Sequence, residues 1–75
     1  MWYCSDVGPD SGLLMHGAAP RSIAVLESFD AGTPVGTATC VGWDAGNLAV
    51  WRLTVRGADL HGQWIVVDRH FIPAQ

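Results

Sequence analysis

The chain has 75 residues, a net charge of −3, 49% hydrophobic residues and only 15% charged residues, and its four cationic side chains are all arginines. A chain of this length holds one small core, so we expect residues 1–75 to form a single domain. The composition argues against intrinsic disorder, and four arginines against seven acids provide no cationic field for a nucleic-acid backbone. Because so small a core is marginally stable, we expect sheet closure or self-association to support it.

The N-terminal stretch, MWYCSDVGPD, has neither the basic start nor the apolar run of a signal peptide, and no apolar stretch approaches membrane-spanning length. We therefore expect a cytoplasmic protein with reduced cysteines and no membrane partner. Residues 1–21 are expected to hold a short N-terminal strand and a long loop. Within that loop, Leu13 to Met15 are predicted to plug an open end of the sheet, the alternative being a loop that a partner orders.

Period-two alternation bounded by Gly, Pro, Asp and Asn predicts a β-meander over residues 22–72, with no helical period. The predicted strands cover 23–29, 35–43, 48–56 and 63–67, the last extending toward residue 72. The composition of the segments between them, 30–34, 44–47 and 57–62, is typical of hairpin loops.

The alternation also assigns side chains to faces of each strand. Phe29 is predicted to share the apolar side of the first strand, where Glu27 is an exception that indicates an edge. In the third predicted strand Trp51 lies on the apolar face while Arg52 and Arg56 lie on the other, so neighbours in sequence point in opposite directions. The second has one face of small residues, which permits close approach by another layer: Gly36, Ala38, Cys40 and Gly42.

The predicted fold class is all-β, a small antiparallel curled sheet or SH3-like barrel of four to five strands. The run GQWIVVDRHFI resembles the ending of SH3-type domains, where Gly, an aromatic and an aliphatic residue precede a short turn and a last strand. The proline and tyrosine that line the ligand groove of eukaryotic SH3 domains have no equivalents, since Val66 stands at the proline's place. The resemblance therefore implies the barrel and does not imply recognition of polyproline peptides.

A second resemblance is to type II dihydrofolate reductase, a short SH3-like chain that acts as a tetramer around one central pore. The matching residues fall in similar order and at similar spacing: Val41, Gly42, Trp43, Asn47, Leu48, His61, Gly62 and Ile65. That family's Val-Gln-Ile-Tyr pore segment falls on residues 63–66 and retains only the isoleucine, and its substrate-binding lysine has no counterpart. The resemblance supports a barrel and leaves an oligomeric enzyme with a shared pore as an alternative function.

Side chains that support catalysis or metal binding do not form a recognisable motif. Neither a nucleophile elbow nor a cysteine–histidine signature occurs, the glycines form no phosphate loop, and Cys4 and Cys40 do not have zinc-ligand spacing. Two Asp-x-His pairs form one suggestive cluster, although turns and polar strand ends explain them equally well: Asp59 with His61 and Asp68 with His70. We predict no enzyme activity, no cofactor and no metal site, with a buried thiol at Cys40 and histidines on the surface.

Aromatic residues are more numerous than so small a core readily hides. Trp2 and Tyr3 are the best candidates for exposure, and Arg52, Arg56 and Arg69 complete the residue types that dominate binding hot spots. We therefore expect a non-enzymatic protein-binding module that acts by stoichiometric binding, self-association included. Size alone suggests the narrower expectation of a phage or mobile-element inhibitor of a host defence complex. Single-stranded nucleic-acid binding on exposed aromatics is a further alternative, which the acidic balance disfavours.

Overall fold

The structure, a computed structural model, describes residues 2–5, 22–46 and 48–74 and forms a closed antiparallel barrel. Its strands are β1 (Tyr3–Cys4), β2 (Ser22–Leu26), β3 (Gly36–Trp43), β4 (Ala49–Val55), β5 (Ala58–Val67) and β6 (His70–Pro73). Each pairs with the next in the chain, and β1 also pairs with β6. The all-β prediction is confirmed, and closure pairs the two outermost strands of the meander. The predicted plug at Leu13 to Met15 lies outside the described residues.

The barrel has six strands where four to five were expected, for two local reasons. One is β1, which lies within residues 1–21, where a short N-terminal strand was expected, and which joins the strands of the meander in the barrel. The predicted last strand is divided by a tight turn at Asp68 and Arg69, whose φ angles of 50° and 68° are those of a type I′ hairpin. In the ranges described, we find no helix with the length and hydropathy required to cross a bilayer.

The predicted loop over residues 57–62 is wrong, because β5 already begins at Ala58. Arg56 and Gly57, with φ angles of 50° and 79°, form a two-residue turn, and Leu60 pairs with Leu53 across the strands. The segment is polar because most of its side chains in β5 are exposed to solvent. A register shift between Trp51 and Leu53 then marks a bulge in the β4–β5 ladder, and Gly62 lies beside it with φ at 106°.

The first firm strand, β2, is shorter than predicted and ends at Leu26. A turn follows, in which the Ala31 N–H donates to the Ser28 carbonyl at 3.0 Å. Phe29 therefore does not share the apolar face of Val25, which is fully buried; 49% of Phe29 is exposed. The prediction that Phe29 faces the core is wrong because the chain turns before the alternation reaches it.

The core fills the barrel interior with side chains from the inward faces of the strands. Trp51 is fully buried, as predicted, and meets Phe71 edge-on with ring centroids 6.5 Å apart. Trp64, its partner across β4 and β5, is half-buried. Neither indole N–H has an acceptor among the described residues, so these rings stabilise the core through apolar burial at the cost of an unmade hydrogen bond.

Ala38 and Cys40, on the small-residue face of β3, lie against the core, whereas Gly42 follows a bulge and lies opposite Val50. Ala38 is fully buried opposite Leu53, and Gly36 lies so close to β4 that a Cβ would overlap the Thr54 carbonyl oxygen. A register shift between Cys40 and Gly42 makes a bulge that leaves Val41 on the outside. The backbones of β3 and β4 are thus in close contact at Gly36, whereas a bulge interrupts their pairing between Cys40 and Gly42.

Candidate partner-binding surface

Strand β1 brings residues from distant parts of the chain together, because it lies between β2 and β6. Its alternation turns Cys4 into the core and Tyr3 outward, where Tyr3 pairs with both Leu26 and His70. The Tyr3 and His70 rings are tilted against each other with centroids 4.4 Å apart. We call the outer residues around β1 the seam surface: Tyr3, Leu26, Phe29, Val67, Arg69 and His70.

Arg69 holds one side of the seam surface in place. Its guanidinium carbon lies 4.5 Å from the centroid of the Phe29 ring, the distance of a cation–π contact. Its backbone carbonyl accepts a hydrogen bond from the Cys4 N–H at 2.9 Å, which ties the β5–β6 turn to β1. The predicted residues Tyr3 and Arg69 therefore belong to one surface, to which Phe29 also contributes.

Arg56 and Trp2 meet at the adjoining end of the barrel. The Arg56 guanidinium lies 5.7 Å from the Trp2 ring centroid and donates to Glu27 Oε1 at 2.7 Å. Both partners of this ion pair have more than half of their side chains exposed, at 57% and 62%. Because exposed ion pairs stabilise a fold little, this contact positions the guanidinium more than it strengthens the barrel.

Arg52 lies apart from the other four predicted residues. It is on the outer face of β4, the strand opposite β1 in the order around the barrel, and donates to Asp59 Oδ2 at 3.1 Å. The structure thus brings Trp2, Tyr3, Arg56 and Arg69 together around β1 and leaves Arg52 on another side. Arg52 and Arg56, which were assigned to the face opposite Trp51, have 61% and 57% of their side chains exposed.

The most exposed large apolar side chains are not the ones expected. Trp2 and Tyr3 are half-buried, and Trp2 packs against the core. Among the described residues, the exposed large hydrophobics are Phe29 at 49%, Val67 at 46%, Val41 at 44% and Trp43 at 37%. Phe29 lies within the Ser28–Ala31 turn and Val67 directly precedes the Asp68–Arg69 turn, and these positions are the signal that would have identified them.

A separate concave surface lies on the outer side of β3 to β6. This outer groove has a volume of about 510 Å³, and its lining includes Val41, Trp43, Asp44, Val50, Ile65 and Ile72. A smaller cavity of about 230 Å³ beside Arg52 shares Val41 with it. The sequence prediction did not identify the groove, because its floor consists of apolar residues on the face of β4 and β5 that alternation assigns to solvent.

The titratable residues do not assemble a reactive centre in the described part of the chain. In the first Asp-x-His pair, the Asp59 carboxylate binds the Arg52 guanidinium. In the second, His70 Nδ1 lies 2.9 Å from the backbone carbonyl oxygen of Asp68. Across residues 2–5, 22–46 and 48–74, no three His, Cys, Asp or Glu side chains converge as metal ligands would.

The buried thiol is at Cys4, where Cys40 had been expected. Cys4 is 3% exposed, and burial raises the pKa of its thiol to about 12. Cys40 is half-buried, with its Sγ 3.6 Å from the Gly42 carbonyl oxygen. A thiol with a pKa this high is protonated at neutral pH and is a poor nucleophile.

Comparison of the chain with known protein families, with characterised proteins and with solved structures found no match. The small closed barrel is therefore established by the geometry of its strands, while the resemblance to SH3-like barrels and to type II dihydrofolate reductase stays a prediction.

Proposed function

We propose that this protein is a non-enzymatic module that binds another protein stoichiometrically through the seam surface, with a second copy of the chain as one partner it accepts. The observation that carries the proposal is the placement of Phe29 and Val67. Nearly half of each side chain is exposed, and both belong to the surface formed around Tyr3, His70 and Arg69. Apolar area of this kind is favourable to bury against a partner.

The composition of the seam surface matches that of binding hot spots. Tyrosine and arginine are enriched at such sites, and aromatic rings supply large contact areas that lose little conformational entropy on binding. Arg69 already rests on the Phe29 ring, and Tyr3 on His70, so the side chains are partly ordered before a partner arrives. Such preorganisation lowers the entropic cost of association.

Backbone conformation gives the proposal independent support. Arg56 and Arg69 are both left-handed, with φ angles of 50° and 68°. This conformation costs a residue with a Cβ about 1–2 kcal/mol, and glycine or asparagine is the favoured choice in such turns. A costly residue in a turn is typical of functional positions, and each of these turns presents a guanidinium beside an aromatic ring, that of Trp2 before β1 or of Phe29 in the β2–β3 connection.

Stoichiometric binding without catalysis is the way an inhibitor acts. The narrower form of the proposal is therefore a cytoplasmic inhibitor, supplied by a phage or mobile element, that binds a host defence complex. It rests on the small size of the domain and on the binding surface proposed above.

Affinity capture with matched variants tests the proposal. We expect the wild-type chain to retain a defined partner in a fixed molar ratio, and Phe29→Ser and Arg69→Gly to lose it. Arg69→Gly removes the guanidinium while relieving the left-handed conformation, so its thermal stability should not fall. Arg52→Gln removes the same charge opposite β1 and should retain the partner.

Light scattering on the purified chain measures the self-association arm. A dimer that Phe29→Ser converts to monomer assigns the seam surface to a second copy. A monomeric chain that captures nothing, or a partner retained equally by Phe29→Ser and the wild type, would refute the proposal.

A further inference from the structure

We infer that the outer groove is a second binding site, which takes an apolar segment of a partner protein that carries a positive charge. The site is separate from the seam surface. It uses the outward residues of β3 to β6, and Asp44 provides the charge in its lining. The inference does not depend on which partner the seam surface binds.

The floor of the groove is an apolar row on the outside of the barrel. Trp51 pairs with Trp64, so alternation places their chain neighbours Val50 and Ile65 on the opposite face of β4 and β5, where Val50 is 6% exposed and Ile65 half-buried. Ile72 lies opposite Ile65, and at the other end of the row Gly42 lies opposite Val50. The four residues of this row, one on each of four adjacent strands, are uncharged, whereas the outer face of a sheet ordinarily carries polar side chains.

Gly42 keeps the groove open at one end. It belongs to the β3 bulge and has φ at 156°, and no atom lies within 4 Å of the place where a Cβ would be. Trp43 follows directly, is 37% exposed and also belongs to the lining of the groove. The resulting volume of about 510 Å³ lies within the range of sites that enclose small ligands or single peptide side chains.

Asp44 fixes a carboxylate at the rim. Its Oδ1 accepts hydrogen bonds from the Gly46 and Leu48 N–H groups, both at 2.9 Å. These bonds hold the carboxylate in place, and Asp44 forms no ion pair with any described residue. A groove whose lining includes the Asp44 carboxylate and the exposed Trp43 favours a cation, because negative charge and aromatic rings both attract one.

Charge complementarity selects a different protein over a second copy as the occupant. The chain carries a net charge of −3, and each of the three described arginines already contacts a group of its own chain. Arg52 pairs with Asp59 at 3.1 Å, Arg56 with Glu27 at 2.7 Å, and Arg69 lies on the Phe29 ring at 4.5 Å. Two copies meeting groove to groove would also bring two Asp44 carboxylates together, which is unfavourable.

A pair of capped tripeptides tests the inference: acetyl-leucyl-arginyl-leucine amide and the same peptide with citrulline, a neutral isostere, in place of arginine. Titration into ¹⁵N-labelled protein should shift the Gly42 and Ile65 amides and the Trp43 indole N–H. The arginine peptide should bind about five-fold more tightly than the citrulline peptide, the difference expected for one exposed cation with a carboxylate and an indole. High salt should reduce that ratio.

Matched variants locate the source of the preference. Asp44→Asn keeps an oxygen that accepts from Gly46 and Leu48 while removing the charge, so the two peptides should then bind equally. Trp43→Leu should weaken both peptides, and Phe29→Ser, on the seam surface, should change neither affinity.

Three results would overturn the inference. One is equal binding of the two peptides by the wild type. Another is a pattern of chemical-shift changes centred on the seam surface, or no chemical-shift change at millimolar peptide. The third is movement of the groove resonances with protein concentration alone, which would assign the groove to a second copy.

Discussion

The close approach of β3 to β4 at Gly36 is the most sharply testable feature of the barrel. A Cβ at this position would overlap the Thr54 carbonyl oxygen and lie 2.8 Å from the Val55 Cα. Carbon atoms pack best at about 3.5–4.0 Å, so Gly36→Ala requires the strands to separate by about 1 Å. Neither obstructing atom belongs to a side chain that can rotate away.

The cost of this separation follows from the contacts around it. Overpacking in a rigid interior costs about 1–3 kcal/mol. Moving β3 also stretches the bonds from the Arg56 N–H to the Val35 carbonyl and from the Val35 N–H to the Val25 carbonyl, both 2.8 Å, and each contributes about 1 kcal/mol. The reduced entropy of the unfolded chain returns about 0.4–1 kcal/mol. We therefore expect Gly36→Ala to lower the free energy of unfolding by about 2–4.5 kcal/mol.

Urea denaturation followed by tryptophan fluorescence measures this change, because Trp51 is fully buried in the folded barrel. A loss of this size is a large share of the roughly 4–11 kcal/mol expected for a domain of this length, and lowers the melting temperature by about 8–36 °C. Gly32→Ala is the matched control, since no atom lies within 4 Å of its Cβ position. If the two variants differ by less than about 0.5 kcal/mol, the close approach of β3 and β4 is refuted.

Three further predictions concern the buried thiol and the exposed ion pair. Below pH 9 the Cys4 thiol is protonated in both the folded and the unfolded chain. At higher pH it ionises in the unfolded chain and stays protonated in the folded barrel, where its pKa is about 12. The free energy of unfolding should therefore fall by about 1.4 kcal/mol between pH 8 and pH 10. Equilibrium unfolding across this range measures the fall, which Cys4→Ala should reduce. A disulfide-forming thiol reagent should label Cys40 faster than Cys4 in the folded protein, and equal rates would contradict the burial of β1. Arg52→Gln should cost at most about 1 kcal/mol despite its bond to Asp59, whereas Leu53→Ala, one position along the strand, should cost about 2–5 kcal/mol by urea denaturation.

The inner half of the barrel was predictable because burial imposes a strict period of two on each strand. Trp51 and Leu53 alternate with Arg52 along β4, and the structure buries the first two completely while leaving the arginine exposed. The same pattern identified the small inward face of β3, where Ala38 is fully buried. Burial at these positions depends on which face of the strand the side chain occupies, and the spacing of apolar residues in the sequence indicates that face.

The remaining features depend on interactions that alternation does not contain. A short N-terminal strand was expected, but alternation did not give its bounds, because β1 has only two residues and is defined by its pairing with β2 and β6. Turns at Arg56 and Asp68 lack the Asn-Gly pattern that signals a type I′ hairpin, so the loop over 57–62 was misplaced. The seam surface was found only in part, because its residues come from three separated segments and meet through closure of the barrel.

The outer groove and the seam surface are linked through β5 and β6, and this link gives a last prediction. Ile65 and Val67 lie two residues apart on the outer face of β5, about 7 Å, and their partners Ile72 and His70 continue the same face on β6. A peptide longer than the tripeptide should therefore reach Val67 once its first residues occupy the groove. Extending the arginine tripeptide by three apolar residues should raise its affinity for the wild type, and Val67→Ser should remove that gain while leaving tripeptide binding unchanged in the same titration. If the extended peptide and the tripeptide bind the wild type equally, the two surfaces act separately, and burial of Val67 requires a partner of its own.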